Sequence, residues 1–592
     1  MSREFRFHSS LLAALAFGVA IVSASPHEGE SMQHGSANNM TSSIEWSESF
    51  DVPNYFRHEG YTFWIYFHIF SMIGSWAILL PLSVMLSIAQ SRFTILMQLC
   101  FFALNALGIT TGIVYNAKTP DLYESNAHHK VGWIFTWTAL VWILLGAVNA
   151  FSAKTSNHGT SSEISNPYQS LAQHENDPDR RWSRDSGQGT ERNSSISSGS
   201  PTAEHELNFK DEEMANYAKQ EEEEDVETHG LLRRTRVAKF LAKHVHKYVF
   251  GKTVSIMRFM YVFVERTIIM MGFIAICTGF VTLGGIFRGG QFLNGLAHFV
   301  KGGIFFWIGA LAIARWAGAF ADLGWAWNVK PPAEVIGKRK AAVPTSEFVE
   351  SALICIYGVT NVWLEHLTAW GQAWSPMDYE HVSITILFFG GGMLGLLAES
   401  KRVRKFLNTS LLLSQPPNSP FTPPSPITTN SPTSGTWNGP STSTTPLNPL
   451  PAFTILLLGI IMAAHTQNSA LAATIHSMWG NLFAVAALAR MVTYLLHYIK
   501  PPVSYLPGRP PSELITGFTL VGGGFMFMIS PRDITDAIGG SGADAMVVFV
   551  VSMGLSALVC AGVVGCMAVK GWALGREHRR QLEGMERLGV NV

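Results

Sequence analysis

The sequence predicts an all-α protein, a polytopic membrane helical bundle of about eleven transmembrane helices. Hydrophobic residues make up 47% of the 592 residues and charged residues only 14%. That composition is typical of a multipass membrane protein rather than of a soluble enzyme of this length. The apolar residues gather in runs of about 20, the length that an α-helix needs to cross a bilayer. The lipid bilayer is therefore the first predicted partner, and we expect no nucleic-acid partner.

Eleven apolar runs account for the predicted spans, and two polar inserts separate them into groups of three, four and four. In chain order the runs are 62–88, 93–115, 131–151, 254–287, 297–320, 347–367, 382–399, 453–471, 475–498, 514–529 and 545–569. The inserts lack the apolar residues that would offset the entropy cost of ordering them. We therefore predict disordered loops at 153–230 and, rich in Ser, Thr and Pro, at 401–450.

The N-terminus predicts a secretory signal peptide over residues 1–25. Arg3 and Arg6 precede an apolar stretch that is too short to span a bilayer comfortably, and small residues follow it. Cleavage there would leave a lumenal segment, 26–60, in which Asn39 begins a glycosylation sequon.

The placement of Lys and Arg predicts the orientation of the spans. Basic residues concentrate in alternate loops, at Arg92, 233–247, 338–340, 401–405, Lys500, Arg509 and 576–580. With a lumenal N-terminus these loops are all cytoplasmic, as the positive-inside rule requires, and the C-terminus is cytoplasmic too. We expect a multipass protein of the secretory or endomembrane system or of the plasma membrane.

Seven histidines fall toward the lumenal face when the chain is threaded in this way. They are His68, His129, His298, His366, His381, His465 and His476. Histidine is rare inside membranes and is the commonest protein ligand of metals. The last five accompany two carboxylates, Glu365 and Glu380, and imidazole with carboxylate is a ligand set for zinc, iron or copper. The pattern predicts a polar or transition-metal site, although a solvated helix end explains each histidine taken alone.

Two further patterns lie within the apolar runs. Glu265 and Arg266 are adjacent charged residues inside the fourth run. Charged residues inside a membrane span are functional candidates. The alternative is a structural role, in which they pair with neighbours or extend toward the interface. Glycine runs at 302–303, 390–392 and 522–524 predict close helix packing.

The first block of helices resembles a family of electron-transfer proteins. Phe67-His68-Ile69-Phe70-Ser71-Met72-Ile73-Gly74-Ser75-Trp76 continues to Pro81 and resembles the opening helix of the ascorbate-linked transmembrane b-type cytochromes and their ferric-reductase relatives. His129-Lys130-Val131-Gly132-Trp133 is similar to the start of that family's third motif helix. The resemblance implies one b-type haem with His68 and His129 as axial ligands, and a small-molecule reductant. The family's second histidine pair is missing, because Met97-Gln98-Leu99 stands where a histidine is expected.

The rest of the chain resembles the fungal Ytp-like membrane proteins, and more faintly the animal transmembrane protein 45 family. The resemblance lies in His298-Phe299-Val300-Lys301-Gly302-Gly303, Gly324-Trp325-Ala326-Trp327-Asn328, Asn361-Val362-Trp363-Leu364-Glu365-His366 and Glu380-His381-Val382-Ser383-Ile384. It implies two helical domains. The first is cytochrome-like, at 61–152; the second is Ytp-like, in two parts at 231–400 and 451–570, with a cytoplasmic tail at 571–592.

The sequence thus favours a membrane protein that binds haem or a transition metal ion near the lumenal face, for redox chemistry or metal handling. A proton- or cation-coupled transporter, with the histidines relaying protons or binding the cation, is one alternative. A non-enzymatic scaffold that recruits partners through its cytoplasmic inserts is the other.

Overall fold

The computed structural model describes residues 53–156, 252–366, 374, 376–413, 447–465, 467 and 469–587. Every regular element within these ranges is a helix, which confirms the predicted all-α class. The predicted signal peptide, Asn39 and most of both predicted inserts lie outside the described residues.

Thirteen helices of nine residues or more are numbered here in chain order. They are α1 (Thr62–Ile88), α2 (Thr94–Lys118), α3 (His128–Ser156), α4 (Lys252–Gly284), α5 (Phe292–Trp316), α6 (Ser346–His366), α7 (Pro376–Glu399), α8 (Lys401–Leu413), α9 (Leu450–Ala463), α10 (Ala470–Ile499), α11 (Pro511–Ile529), α12 (Arg532–Gly540) and α13 (Ala545–Arg587).

Nine helices within the described ranges are long and apolar enough to cross a membrane, which confirms a polytopic protein. The other two predicted spans correspond to α6, which carries three glutamates, and α9, which has 14 residues. At 1.5 Å per residue, α9 is about 21 Å long, shorter than a typical hydrocarbon core of about 30 Å. The count of eleven and the orientation across the membrane stay predictions.

Helix boundaries differ from the sequence prediction in three places. The eighth apolar run was expected to reach Leu471, but α9 ends at Ala463 and Ser469 caps the next helix by accepting a hydrogen bond from the Ala472 backbone N–H (3.1 Å). The first 13 residues of the second predicted insert form α8, where four leucines favour a helix. The last helix, α13, runs on to Arg587 because its charged end continues with strong helix formers.

A π-turn over Gly74–Leu79 interrupts α1 just before Pro81. Proline has no backbone N–H, so the regular hydrogen-bond ladder must change locally, and a wider turn is one solution. The turn directs Trp76 inward, where its indole N–H donates to Asn105 Oδ1 of α2 (2.8 Å) and both residues are buried. The two helices are thereby fixed side by side.

Glycines bring the helices of the C-terminal half close together, both inside the predicted runs, at Gly302 and Gly524, and outside them. A Cβ placed on Gly309 of α5 would lie 2.8 Å from the Gly517 carbonyl oxygen of α11. Gly459 of α9 and Gly480 of α10 are in similarly close contact, with each hypothetical Cβ 2.6 Å from the other's carbonyl oxygen. Such backbone contact is how membrane helices gain packing energy without a hydrophobic driving force.

Contacts divide the chain into two compact units, and α3 and α4 each cross the boundary. One unit spans Gly132–Met271, and in it Trp142 of α3 stacks on Tyr261 of α4 with ring centres 6.3 Å apart. The other contains Met1–Val131 and Gly272–Val592, and its main core gathers around Trp479, Phe483 and Met526.

Candidate functional site

Two imidazole rings meet where α1, α3 and α4 approach one another. His68 of α1 and His128, the first residue of α3, have ring centres 6.3 Å apart and ring planes at 81°. The His68 ring lies directly on α2, since a Cβ on Gly112 would be 2.7 Å from its Nδ1. The His128 ring lies against Gly279 of α4, where a Cβ would be 3.1 Å from Cε1. A side chain at Gly112 would displace the His68 ring, and one at Gly279 would crowd the His128 ring.

The hydrogen bonds of this pair determine which ring nitrogens carry protons. His68 Nδ1 lies 2.7 Å from the Gly108 carbonyl oxygen, which can only accept, so Nδ1 must donate. His128 Nδ1 lies 3.1 Å from Thr278 Oγ1, and that hydroxyl already donates to the Ala275 carbonyl oxygen (2.9 Å). His128 Nδ1 is therefore also the donor. Both neutral rings consequently keep their lone pair on Nε2, which is the nitrogen through which each could bind a metal.

His128 is a residue that sequence reasoning missed. The prediction paired His68 with His129 because His129 begins the His-x-x-Gly pattern, but it is the partly buried His128 that contacts His68. His129 is exposed and directed elsewhere, since successive helical residues are rotated by about 100°. The two adjacent histidines were the one signal of this site in the sequence. Their spacing does not show which of the two contacts His68.

A second histidine group forms where α7, α9 and α10 meet. The rings of His381 and His465 have centres 6.1 Å apart, and His465 Nδ1 lies 2.8 Å from Glu380 Oε2. His476 is buried near the start of α10, where its Nδ1 donates to the Ala472 carbonyl oxygen (2.9 Å). The structure therefore brings two of the five histidines predicted for this half into contact, with one of the two carboxylates, and His476 begins the adjoining helix.

An aromatic stack connects this group to His298 of α5. His298 contacts Phe527 of α11 edge-on at 5.5 Å, Phe527 stacks on Trp479 at 4.4 Å, and Trp479 lies 5.6 Å from His476. His298 thus belongs to the same end of the bundle but is separated from His476 by two aromatic rings. Its own Nδ1 donates to the Asn294 carbonyl oxygen (2.9 Å).

The remaining predicted site residues lie apart from these groups. Glu365 and His366 end α6, and their side chains are outside the described set. Glu265 is 4% exposed whereas Arg266 is exposed, so these neighbours face different sides of α4. Within the described ranges, no three His, Cys, Asp or Glu side chains lie close enough to hold a metal ion.

A cavity of about 580 Å³ opens in the loops that precede α3 and α5. Residues 121–125 line it together with Phe287, Arg288 and Phe292, so its wall ends three residues before His128. Arg288 donates to the Leu122 carbonyl oxygen (2.7 Å) and its guanidinium lies over the Tyr123 ring at 4.5 Å. Burial raises the pKa of the Tyr123 phenol, and the Arg288 charge opposes that rise.

The charged groups around the cavity include Asp533 of α12. Its Oδ2 accepts a hydrogen bond from the Phe287 backbone N–H (3.0 Å). Burial raises the pKa of this carboxyl, while the hydrogen bond from Phe287 opposes the rise. The cavity is within the usual size range of small-molecule sites and combines apolar walls with fixed polar groups.

Comparison with known proteins identifies the two halves of the chain. Residues 271–571 match the family described as "Protein YTP1-like, C-terminal", and residues 49–152 match "Domain of unknown function (DUF2427)". No solved structure matches the chain.

The related proteins come from two yeasts. The uncharacterized membrane protein C3B8.06 of Schizosaccharomyces pombe is 32% identical over 532 residues, which cover 89% of this chain and 97% of that protein. The uncharacterized membrane protein YCR061W of Saccharomyces cerevisiae is 34% identical over 333 residues, 53% of this chain and 47% of that protein. Protein YTP1 of Saccharomyces cerevisiae is 33% identical over 70 residues, 12% of this chain and 15% of that protein.

Proposed function

The chain belongs to the fungal Ytp1-like family of multipass membrane proteins, and we propose that it binds one b-type haem between His68 and His128. The observation that carries this proposal is the 6.3 Å separation of the two rings. Imidazoles that ligate one iron from opposite sides have ring centres about 6 Å apart. Each metal–nitrogen bond contributes about 2 Å and each ring about 1 Å.

The number of donors favours haem over a bare ion. A structural or catalytic zinc ion takes at least three protein ligands. Two histidines suffice for an iron that already has four porphyrin nitrogens. Within the described residues the pair has no third His, Cys, Asp or Glu close enough to complete an ion site. When bound, a haem b supplies a reversible one-electron centre.

The residues around the pair have defined tasks in this proposal. The Gly108 carbonyl and the Thr278 hydroxyl hold the two Nδ1–H groups, which fixes each ring and makes its Nε2 a better donor. Gly112 and Gly279 let the rings lie against helix backbones. Both rings are half-buried, which limits their contact with water.

The neighbouring cavity is the proposed entry point for a small-molecule reductant. Its volume of about 580 Å³ suits a small molecule, and its wall carries Arg288 together with the carboxyl groups of Asp121 and Glu124. The loop 121–125 joins this wall to α3, so an occupant would lie at the end of the helix that begins with His128.

Absorption spectroscopy of the purified protein tests the haem proposal. Wild-type protein, expressed with a haem precursor and extracted in mild detergent, is expected to show a Soret band that shifts on reduction with dithionite. His68→Ala and His128→Ala are expected to lose the band, whereas the matched control His129→Ala keeps it. A colourless wild-type protein, or loss of the band in the His129 variant alone, would contradict the proposal.

A transition-metal site in the second half is a second candidate, favoured by the contact between Glu380 and His465. A carboxylate that binds the second nitrogen of a histidine is a common way to orient a metal ligand. The described residues supply two imidazoles, from His381 and His465, which is fewer donors than most transition metals require. We therefore assign this group no chemical step and treat metal binding there as a question for elemental analysis.

A further inference from the structure

A network of five charged side chains, four buried and one half-buried, joins four helices of the C-terminal half. Its members are Arg315 of α5, Glu347 and Glu350 of α6, Arg490 of α10 and Glu513 of α11. Arg490 follows His476 by 14 residues in α10, a distance of about 21 Å along the helix. The network is therefore separate from the histidine groups and independent of the haem proposal.

The two arginines of the network are shared unequally among its three glutamates. Arg315 binds Glu350 through Nη1 (2.9 Å) and lies 3.5 Å from Glu347 through Nη2. Arg490 binds Glu513 through Nε (2.8 Å) and also lies 3.4 Å from Glu350. Glu350 thus has two guanidinium neighbours, whereas Glu513 shares its one ion-pair partner with Glu350.

The loop between α5 and α6 closes the network on one side. Arg315 Nε donates to the Trp325 carbonyl oxygen (2.6 Å). Both guanidinium groups lie over the ring of Trp327, at 4.8 Å for Arg315 and 5.2 Å for Arg490. The Gly324–Asn328 motif noted in the sequence therefore keeps water and lipid away from the two cations.

Three carboxylates share two guanidinium groups, so a fully ionised network has a net charge of −1. Glu513 is 0% exposed, Arg315 is 2% exposed, and Glu347 and Arg490 are 5% exposed, whereas the Glu350 side chain is 17% exposed. A surplus charge in such a poorly polarisable interior is costly, and a carboxylate there binds a proton instead. Charged residues inside membrane helices are functional candidates for the same reason.

Unsatisfied polar atoms indicate which carboxylate is affected. Glu513 Oε1 accepts from the Thr493 hydroxyl (2.8 Å) and binds Arg490, but Oε2 is buried without a hydrogen-bond partner among the described residues. The hydroxyl of Tyr494, which is 6% exposed, is likewise buried without a partner there. Buried polar atoms are normally satisfied, so Oε2 of Glu513 is the atom of the network at which a further partner would bind.

We propose that the network binds one exchangeable proton on the Glu513 carboxyl group, and that this proton holds α5, α6, α10 and α11 together. Arg490, Arg315, Glu350 and Thr493 are the groups that act on Glu513 from the neighbouring helices. The N-terminal end of α11 and Arg490 both favour the ionised carboxylate. Complete burial and the sharing of Arg490 with Glu350 outweigh them. Loss of the proton leaves an unbalanced charge between the four helices and drives them to separate or to admit another cation.

Reaction with dicyclohexylcarbodiimide tests this proposal, because the reagent modifies protonated carboxyl groups in apolar surroundings. Full-length protein in detergent micelles is labelled at several pH values and the modified peptide is identified by mass spectrometry. We expect labelling at Glu513 that decreases several-fold as the pH is raised, because the carboxylate form does not react. Glu513→Gln removes the label, and Glu334→Gln, at an exposed position, leaves it unchanged. Sodium that prevents labelling at constant pH would identify a metal cation as the occupant and overturn the proposal.

The melting temperatures of two glutamine variants give a second, independent test. Glu513→Gln replaces a neutral acid by a neutral amide, so its melting temperature is expected to stay within a few degrees of wild type. Glu350→Gln removes the anion that two arginines share and is expected to lower the melting temperature much more. An equal loss in both variants, or no label at Glu513 near pH 6, would overturn the proposal.

Discussion

Gly302 of α5 lies against Gly524 of α11 so closely that a Cβ on either residue would be 2.7 Å from the other's carbonyl oxygen. One helical turn further along α11, Met528 contacts Gly302 as well. The same pair of helices repeats the contact seven residues away, between Gly309 and Gly517. Seven residues are two helical turns, so the two glycine pairs form one continuous line of backbone contact.

Replacement of Gly302 by valine is therefore expected to force α5 and α11 apart. Overpacking of a close interface costs about 1–3 kcal/mol, and the melting temperature in detergent should fall accordingly. Gly565→Val in α13 is the matched control, because a Cβ there meets nothing within 4 Å. Equal melting temperatures for Gly302→Val and wild type would show that the two helices are not in backbone contact.

Much of this fold could be predicted from the sequence, because spans and glycine contacts depend on local patterns. A run of about 20 apolar residues matches the thickness of the bilayer. Clustered glycines have no side chain, so neighbouring helices can pack closely there. The break between α9 and α10 was predicted at 472–474, several residues too late. The polar run 465–469 marks its place in the sequence, and the cap by Ser469 starts α10 at Ala470.

The sites could be predicted only in part, because they depend on which helix faces meet. The histidines were recognised from their residue type, but the choice between His128 and His129 depends on the rotation of α3 against α1 and α4. Arg315 and Arg490 lie inside predicted spans and could have been found as intramembrane charges. Glu513, near the start of a span, is indistinguishable in the sequence from an ordinary helix-end residue.

Glycosylation tests the predicted orientation of the spans. Asn39 is expected to carry a glycan because its sequon follows the signal peptide on the lumenal side. Digestion with endoglycosidase H should increase the electrophoretic mobility of the wild-type protein, and Asn39→Gln should abolish the shift. Asn193→Gln and Asn408→Gln are controls, since their sequons are predicted to be cytoplasmic. A glycan on either of them would reverse the predicted topology.

Elemental analysis tests the second histidine group. If His381 and His465 bind a transition metal, purified wild-type protein should retain about one equivalent of metal after dialysis. His381→Ala and His465→Ala should lose it, and Glu380→Gln should weaken retention because His465 loses its orienting partner. His497→Ala is a suitable control, since His497 is near the opposite end of α10. Retention of no metal by the wild type would leave these histidines with a packing role.

Arg288 offers a test of the cavity that does not alter the haem ligands themselves. If an anionic reductant binds there, Arg288→Gln should slow reduction by ascorbate about tenfold, while the Soret absorbance per protein stays unchanged. The rate for wild type should also fall with added salt, because ions screen the attraction between Arg288 and the anion. Lys301→Gln, at a partly buried basic residue of α5, is the matched control and should keep the wild-type rate. Stopped-flow absorbance at the Soret band measures the reduction rates of the wild type and of both variants. An unchanged rate in Arg288→Gln would show that the reductant binds elsewhere.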